Sequence, residues 1–341
     1  MKKINKLIPL MMIVPLLGAC GNSNSVKSMK KPAFQAYAEA DKVEASVFFD
    51  KLDEASEAAA KEHLDVDEAT SKIKGLKTGV EAVQKSYQVV EYSATLKTGN
   101  KMSGKQEVSG EVNMKADNAS LVAKSNEKSA QKGSSKGVSS IPDYGFTTVG
   151  EKEVLYLPSL PGYYDLTANI SSSGSLESGL MFKDNKLAQV DLTNKTYELV
   201  PVEYATAEEQ QSVFGQYIYQ TAAGLFDSFV PGSYGSYTYD RYVKEKLFTS
   251  AYTTEADAIL VTYSSGDVYS VTSKAEFVYQ LDLANMKGAF SQEVTIEMKD
   301  TKTAATHKLV SKTYATSTVS FKKVSLKAFD LAKFTDLTVD A

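Results

Sequence analysis

Residues 86–98 read SYQVVEYSATLKT, and the period of two in this stretch decides the fold. Tyr87, Val89, Glu91 and Ser93 alternate with Val90, Tyr92 and Ala94, so successive side chains point to opposite sides of an extended chain. The alternation returns at 106–116 and 119–125, after GNKMSG at 99–104 and KADN at 115–118, both built of turn residues. An antiparallel meander follows from this pattern, with β-branched residues, serine and threonine on one side.

Downstream, residues 125–140 read SNEKSAQKGSSKGVSS, with Val138 the sole bulky residue. So little apolar surface predicts a mobile loop joining strands or subdomains. Short strands are expected again at 154–157, 179–182, 187–192 and 196–200, with Asp184-Asn185-Lys186 as a hairpin turn. The last third predicts six more strands, at 258–264, 268–273, 276–283, 291–298, 307–315 and 317–324. Tyr263-Ser264-Ser265-Gly266-Asp267-Val268 marks a hairpin between the first two.

Two stretches break the period of two. Phe48, Leu52, Ala55 and Ala59 share one helical face, with Ser46 as the expected N-cap and a short strand before it within 32–43. Residues 205–230 form a second amphipathic helix, with Thr206 as N-cap, Glu208 and Glu209 in the first turn, and Pro231-Gly232 as the stop. Its apolar stripe is Val213, Phe214, Tyr217, Ile218, Thr221, Leu225 and Phe229. The expected class is α+β, mainly antiparallel β: a curved sheet or incomplete barrel covered by two main helices.

The N-terminus is of another kind. Lys2, Lys3 and Lys6 precede an apolar run from Leu7 to Leu17, which closes on Leu17-Gly18-Ala19-Cys20. A run of about 11 residues is too short to span a bilayer, which takes about 20. A basic start, a short apolar core and small residues at the exit make a secretory signal. Leu-Gly-Ala-Cys resembles the lipobox of bacterial lipoproteins. The resemblance implies diacylglycerol on Cys20, cleavage before it, and a mature chain held on the outer face of the cell membrane. The polar stretch CGNSNSVKSMKK at 20–31 then serves as a flexible tether. Pro-x-Phe at 32–34, followed by Phe49-x-x-Leu52, is similar to uncharacterised lipoproteins of low-GC Gram-positive bacteria. The expected organisation is signal peptide 1–19, tether 20–31 and a β-rich extracytoplasmic domain 32–341. If that domain holds two subdomains, they split near 125–140 or 200–240.

Composition narrows the chemistry. The net charge is −4, and losing the three signal lysines makes it more negative, which argues against a nucleic-acid partner. Arg241 is the only arginine and Cys20 the only cysteine, so bidentate phosphate clamps, disulfides and thiolate chemistry lack residues. His63 and His307 stand in unrelated, surface-like settings, and neither a zinc motif nor a nucleotide-binding glycine loop occurs. The acidic pairs at 53–54 and 65–68 read as solvated helix faces. No catalytic residue, metal site or cofactor is expected, and the chain reads as a binding protein and not an enzyme.

The recognition chemistry that remains is tyrosine. Tyr217, Tyr234, Tyr237 and Tyr239 gather on and after the second helix, the last three within PGSYGSYTYDRY. Tyrosine offers wide contact area, few rotors and a polar tip, so these residues are the candidate contacts for a lipid, glycan or protein ligand. In outline, a sheet with a helix across it over 86–331 resembles the LolA/LppX-like lipoproteins. That resemblance implies an apolar molecule held between sheet and helix, in a cavity beneath 205–230. The alternative is a structural or adhesion lipoprotein without a cavity.

Overall fold

A computed structural model describes residues 30–338, except 38–39, 65, 68–71, 74–75, 77–78, 96–100, 137–146, 150–151, 155–169, 232–237, 263–265 and 327–328. In chain order the elements are β1 (Asp41–Val43), α1 (Ala45–Leu64), β2 (Val66–Asp67), β3 (Lys72–Ile73), β4 (Val80–Thr95), β5 (Lys101–Ala116), β6 (Ser120–Lys136), β7 (Thr147–Val149) and β8 (Lys152–Val154). There follow β9 (Ile170–Lys183), β10 (Lys186–Asp191), β11 (Thr196–Glu203), α2 (Ala207–Ser228), β12 (Asp240–Lys244), β13 (Leu247–Thr262), β14 (Val268–Asp282), β15 (Lys287–Asp300), β16 (Thr306–Lys323) and β17 (Thr335–Asp336).

Thirteen of these strands form one curved sheet, not closed into a barrel, in the order β1-β12-β13-β14-β15-β16-β4-β5-β6-β9-β10-β11-β17. All neighbours are antiparallel except the last pair, β11 and β17. The late meander β13–β16 joins the early one β4–β6 through β16, which pairs with β4 from Lys308↔Thr95 to Lys323↔Val80. Both edge strands are two or three residues long.

The expected class is what the structure has, but several boundaries differ. Residues 125–136 are not a loop: they are the outer half of β6, paired along their length with β5 and, as far as Gln131, with β9. Small and polar side chains cannot nucleate a strand, yet long neighbours satisfy its backbone groups on both sides as far as Gln131 and on one side beyond it. Residues 137–140 lie outside the described residues. Likewise the strands expected at 268–273 and 276–283 are one strand, β14, and those expected at 307–315 and 317–324 are one strand, β16. Helix α1 begins at Ala45, one residue before the expected cap at Ser46. Among the described residues of 32–43, 41–43 alone are strand.

Local chemistry set two boundaries as expected, while Lys101–Gly104 of the expected GNKMSG turn belong to β5 and the strand expected from 258 begins at Leu247. Asp184 and Asn185 adopt φ of 50° and 63° in the β9–β10 hairpin, the left-handed values a two-residue turn needs. Thr206 caps α2 in a full capping box: its hydroxyl accepts from the Glu209 N–H, and the Glu209 carboxylate accepts from the Thr206 N–H.

Both helices lie on one side of the sheet. Phe48, Leu52 and Ala59 of α1 join Leu225 and Phe229 of α2 over Phe248, Leu281, Leu283, Met286 and Val319. Phe214 and Ile218 of α2 pack on Val80, Ala82, Ala116, Leu121, Leu180 and Leu187. These contacts fix the two faces. The helix side carries the even residues of β4, β5 and β15 and the odd residues of β6, β14 and β16. The opposite side carries the rest.

Candidate functional site

The two faces differ in chemistry. Beyond the helices, the helix side of β4 shows Gln84, Ser86 and Gln88, with Val112, Gly110 and Val108 opposite them on β5. Ser311, Thr313 and Ser317 of β16 and Gln292 of β15 continue the strip. Ser86 and Gln88 are exposed, and Leu176 beside Ser125 is 56% exposed. On β4, β5, β14 and β16 between the strip and the helices, no residue of this side is charged; Glu127 of β6 is an exception further along. The reverse side is instead a lattice of lysines and glutamates, paired across strands as in Lys85–Glu111, Lys105–Glu91, Lys312–Glu293 and Lys308–Glu297.

Aromatic rings gather on the β13–β14 flank of the neutral strip. Tyr239, at the entry to β12, sits 5.9 Å from Tyr252 of β13 and 5.9 Å from Tyr279 of β14. Tyr252 stacks on Phe277 at 5.6 Å, and Tyr279 meets Phe290 at 4.4 Å. Strand alternation places Phe277 and Tyr279 on the same side, and register sets Tyr252 opposite Phe277. Tyr239, Tyr252 and Tyr279 are half-buried. Burial and the adjacent Tyr239 hydroxyl push the Tyr279 hydroxyl up to about 12, so it stays a hydrogen-bond donor throughout the physiological range.

Arg241 anchors this corner. It is buried, and its guanidinium lies 5.1–5.2 Å from the ring centres of Phe48, Phe49 and Tyr239. It donates to the Ser250 hydroxyl and, at 2.9 Å, to the Pro231 carbonyl just past α2. A planar cation suits such a sandwich; a lysine would lose both the fork and the stacking. Burial lowers its pKa, but the guanidinium remains charged.

The tyrosines expected from sequence have separate fates. Tyr239 belongs to the ring cluster. Tyr217 packs half-buried against the α2 core, away from that cluster. Tyr234 and Tyr237 lie outside the described residues, as does Cys20. Tyr252, Phe277 and Tyr279 were not singled out from sequence; the signal was the i, i+2 pair Phe277-x-Tyr279 in a strand whose register was unknown. His307 is half-buried beside Tyr269, ring centres 5.7 Å apart, and not the surface residue expected.

The inner stripe of α2 sits directly on the sheet. Phe214, Ile218 and Leu225 are fully buried, and a Cβ added at Gly288 would lie 2.1 Å from the Phe229 ring. A separate open cleft of about 570 Å³ lies between α1 and β12, with Asp41, Lys51, Glu54, Lys244 and Glu245 around Phe248. Among the described residues no group of three or more His, Cys, Asp or Glu side chains could hold a metal. None of the described helices is long and apolar enough to cross a membrane. The chain matches no protein-family model, and no curated protein matches it closely enough to count as a relative.

Proposed function

We propose that the mature chain is a lipid-anchored extracytoplasmic binding protein that takes an uncharged polysaccharide on the neutral, tyrosine-flanked face of its sheet. The observation that carries this reading is the pairing of the half-buried Tyr239, Tyr252 and Tyr279 cluster with a charge-free strip of glutamine, serine and threonine. Sugar rings present apolar C–H faces that stack on aromatic rings. Their hydroxyls both donate and accept, as do amide and hydroxyl side chains. Covering a charged strip would cost far more in desolvation than covering these neutral amides and hydroxyls, which the sugar hydroxyls can re-pair.

A ligand held between sheet and helix fares less well, because the inner residues of α2 already fill that interface. The role proposed is binding, with Cys20 supplying the anchor and no cofactor taking part. To test it, the soluble mature chain carrying Cys20→Ser is titrated with neutral wall polysaccharides and, separately, polyanionic ones. Saturable binding of a neutral glycan, weakened about tenfold or more by Tyr252→Ser with Gln88→Ala, supports the reading. Aromatic stacking of about 1.4 kcal/mol corresponds to that factor. Equal binding by the variant, or preference for polyanions, overturns it.

A further inference from the structure

We propose that the lysine-rich reverse face of the sheet lies against the anionic bilayer, turning the neutral tyrosine face away from the membrane. The inference rests on the lipid-anchored reading for its source of bilayer, and on two independent features of the fold for its direction.

The first is where the leash leaves the domain. Residues 30–37 cross the reverse face over β14 and β15. Lys31 reaches Glu293 at 2.8 Å and Glu276 at 3.6 Å. The Gln35 N–H donates to the Gln280 side-chain carbonyl at 2.8 Å, and the Gln280 amide returns a bond to the Gln35 carbonyl at 3.1 Å. The Gln35 amide donates to Asp282 at 2.6 Å, and Tyr37 rests on Tyr242 at 5.3 Å. Gln280 and Asp282 are buried, so the clip is seated in the face and not laid over it. Counting from Cys20 to Lys30 at roughly 3.3–3.6 Å per residue, the lipid can be no more than about 36 Å from this point.

The second feature is charge. The chain is acidic as a whole, yet its charges are segregated. Acids dominate the helical layer, with Asp50, Asp53, Glu54 and Glu57 on α1 and Glu208 and Glu209 on α2. On the reverse face of β4, β5, β6, β14, β15 and β16, lysines outnumber carboxylates. Lys128, Lys287 and Lys299 are exposed there. An anionic surface therefore attracts this face and repels the helical layer, and the exit of the leash agrees in direction.

The test uses the full mature chain with Cys20→Ser. It is sedimented with vesicles of phosphatidylcholine alone and with vesicles in which a third of the lipid is phosphatidylglycerol. The expected result is binding to the anionic vesicles alone, abolished at high salt. Lys128→Gln with Lys287→Gln and Lys299→Gln should lower the partition coefficient by at least about tenfold. The matched set Lys51→Gln, Lys246→Gln and Lys323→Gln, all on the helix side, should lower it less than about twofold. Equal losses in the two sets, or no anionic preference, overturn the inference. Intact-mass measurement of protein extracted from its native membrane separates the two readings. Diacylglycerol on Cys20 with no effect of the reverse-face set sinks the orientation alone. Vesicle binding that depends on that set, with Cys20 unmodified, sinks the anchor and leaves the face standing.

Discussion

Replacing Gly288 with alanine tests whether α2 is seated on the sheet. The new Cβ would fall 2.1 Å from Cδ2, 2.3 Å from Cγ and 2.7 Å from Cε2 of Phe229. Ordinary contact begins near 3.4 Å. The ring must therefore withdraw by more than an ångström. It has little room to do so, being buried at the end of α2 among Leu281, Leu283 and Met286. Overpacking of this kind costs about 1–3 kcal/mol, and a clash with a whole ring belongs at the upper end. Phe229→Ala alone should cost about 3–5 kcal/mol. The double variant should cost less than the sum by about 2 kcal/mol, because each change relieves the other. Urea unfolding of wild type, both single variants and the double variant, at matched m values, measures the cycle. Additivity to within about 0.5 kcal/mol would refute the reasoning, since Phe229 then could not occupy the space above Gly288.

Three further expectations follow from the same contacts. Arg241→Ala should lower stability by about 3 kcal/mol, because it empties the space between Phe48, Phe49 and Tyr239 and strands the Ser250 hydroxyl and Pro231 carbonyl; thermal melts check this, with Arg241→Lys recovering only part. Thr206→Ala should cost about 1 kcal/mol by the same measure, through loss of the capping box. Hydrogen bonds from the Thr338 hydroxyl, the Tyr197 hydroxyl and the Thr338 N–H, with Lys183 nearby, hold the Asp336 carboxyl down to about 2. A depressed folded pKa stabilises at pH above the unfolded value of 3.8 and loses that contribution as pH falls towards 2. Protection of the β17 amides, taken relative to the intrinsic exchange rate at each pH, should accordingly fall between about pH 4 and pH 2, and Asp336→Asn should remove that fall.

Much of this architecture was legible from residue patterns, and the misses have physical causes. The helix 205–230 could be read whole, because its cap, first-turn acids, apolar stripe and terminating Pro231 all agree. The Asp184-Asn185 turn announced itself through its need for left-handed backbone. Residues 125–136 misled because strand formation there depends on β5 and β9, which no local window contains. The ring cluster was only partly visible for the same reason. Tyr239 stood out in a tyrosine-rich run, whereas Tyr252 and Tyr279 come together through the β13–β14 register and its irregularity after Ala256. The division between a neutral and a charged face was present in the alternation of β4 and β5, but could be assigned only once Val80 and Ala82 were seen against α2.

Tyrosine footprinting tests the central claim most directly. Mild nitration of residues 20–341 carrying Cys20→Ser is compared with and without a neutral wall polysaccharide, and modified tyrosines are quantified by peptide mapping. Tyr87, on the reverse face, and Tyr219, on the outer side of α2, are 39% and 41% exposed and serve as internal references. The account predicts protection of Tyr239 and Tyr252 with the two references unchanged. Protection spread evenly over all four, or confined to Tyr87 and Tyr219, would contradict it.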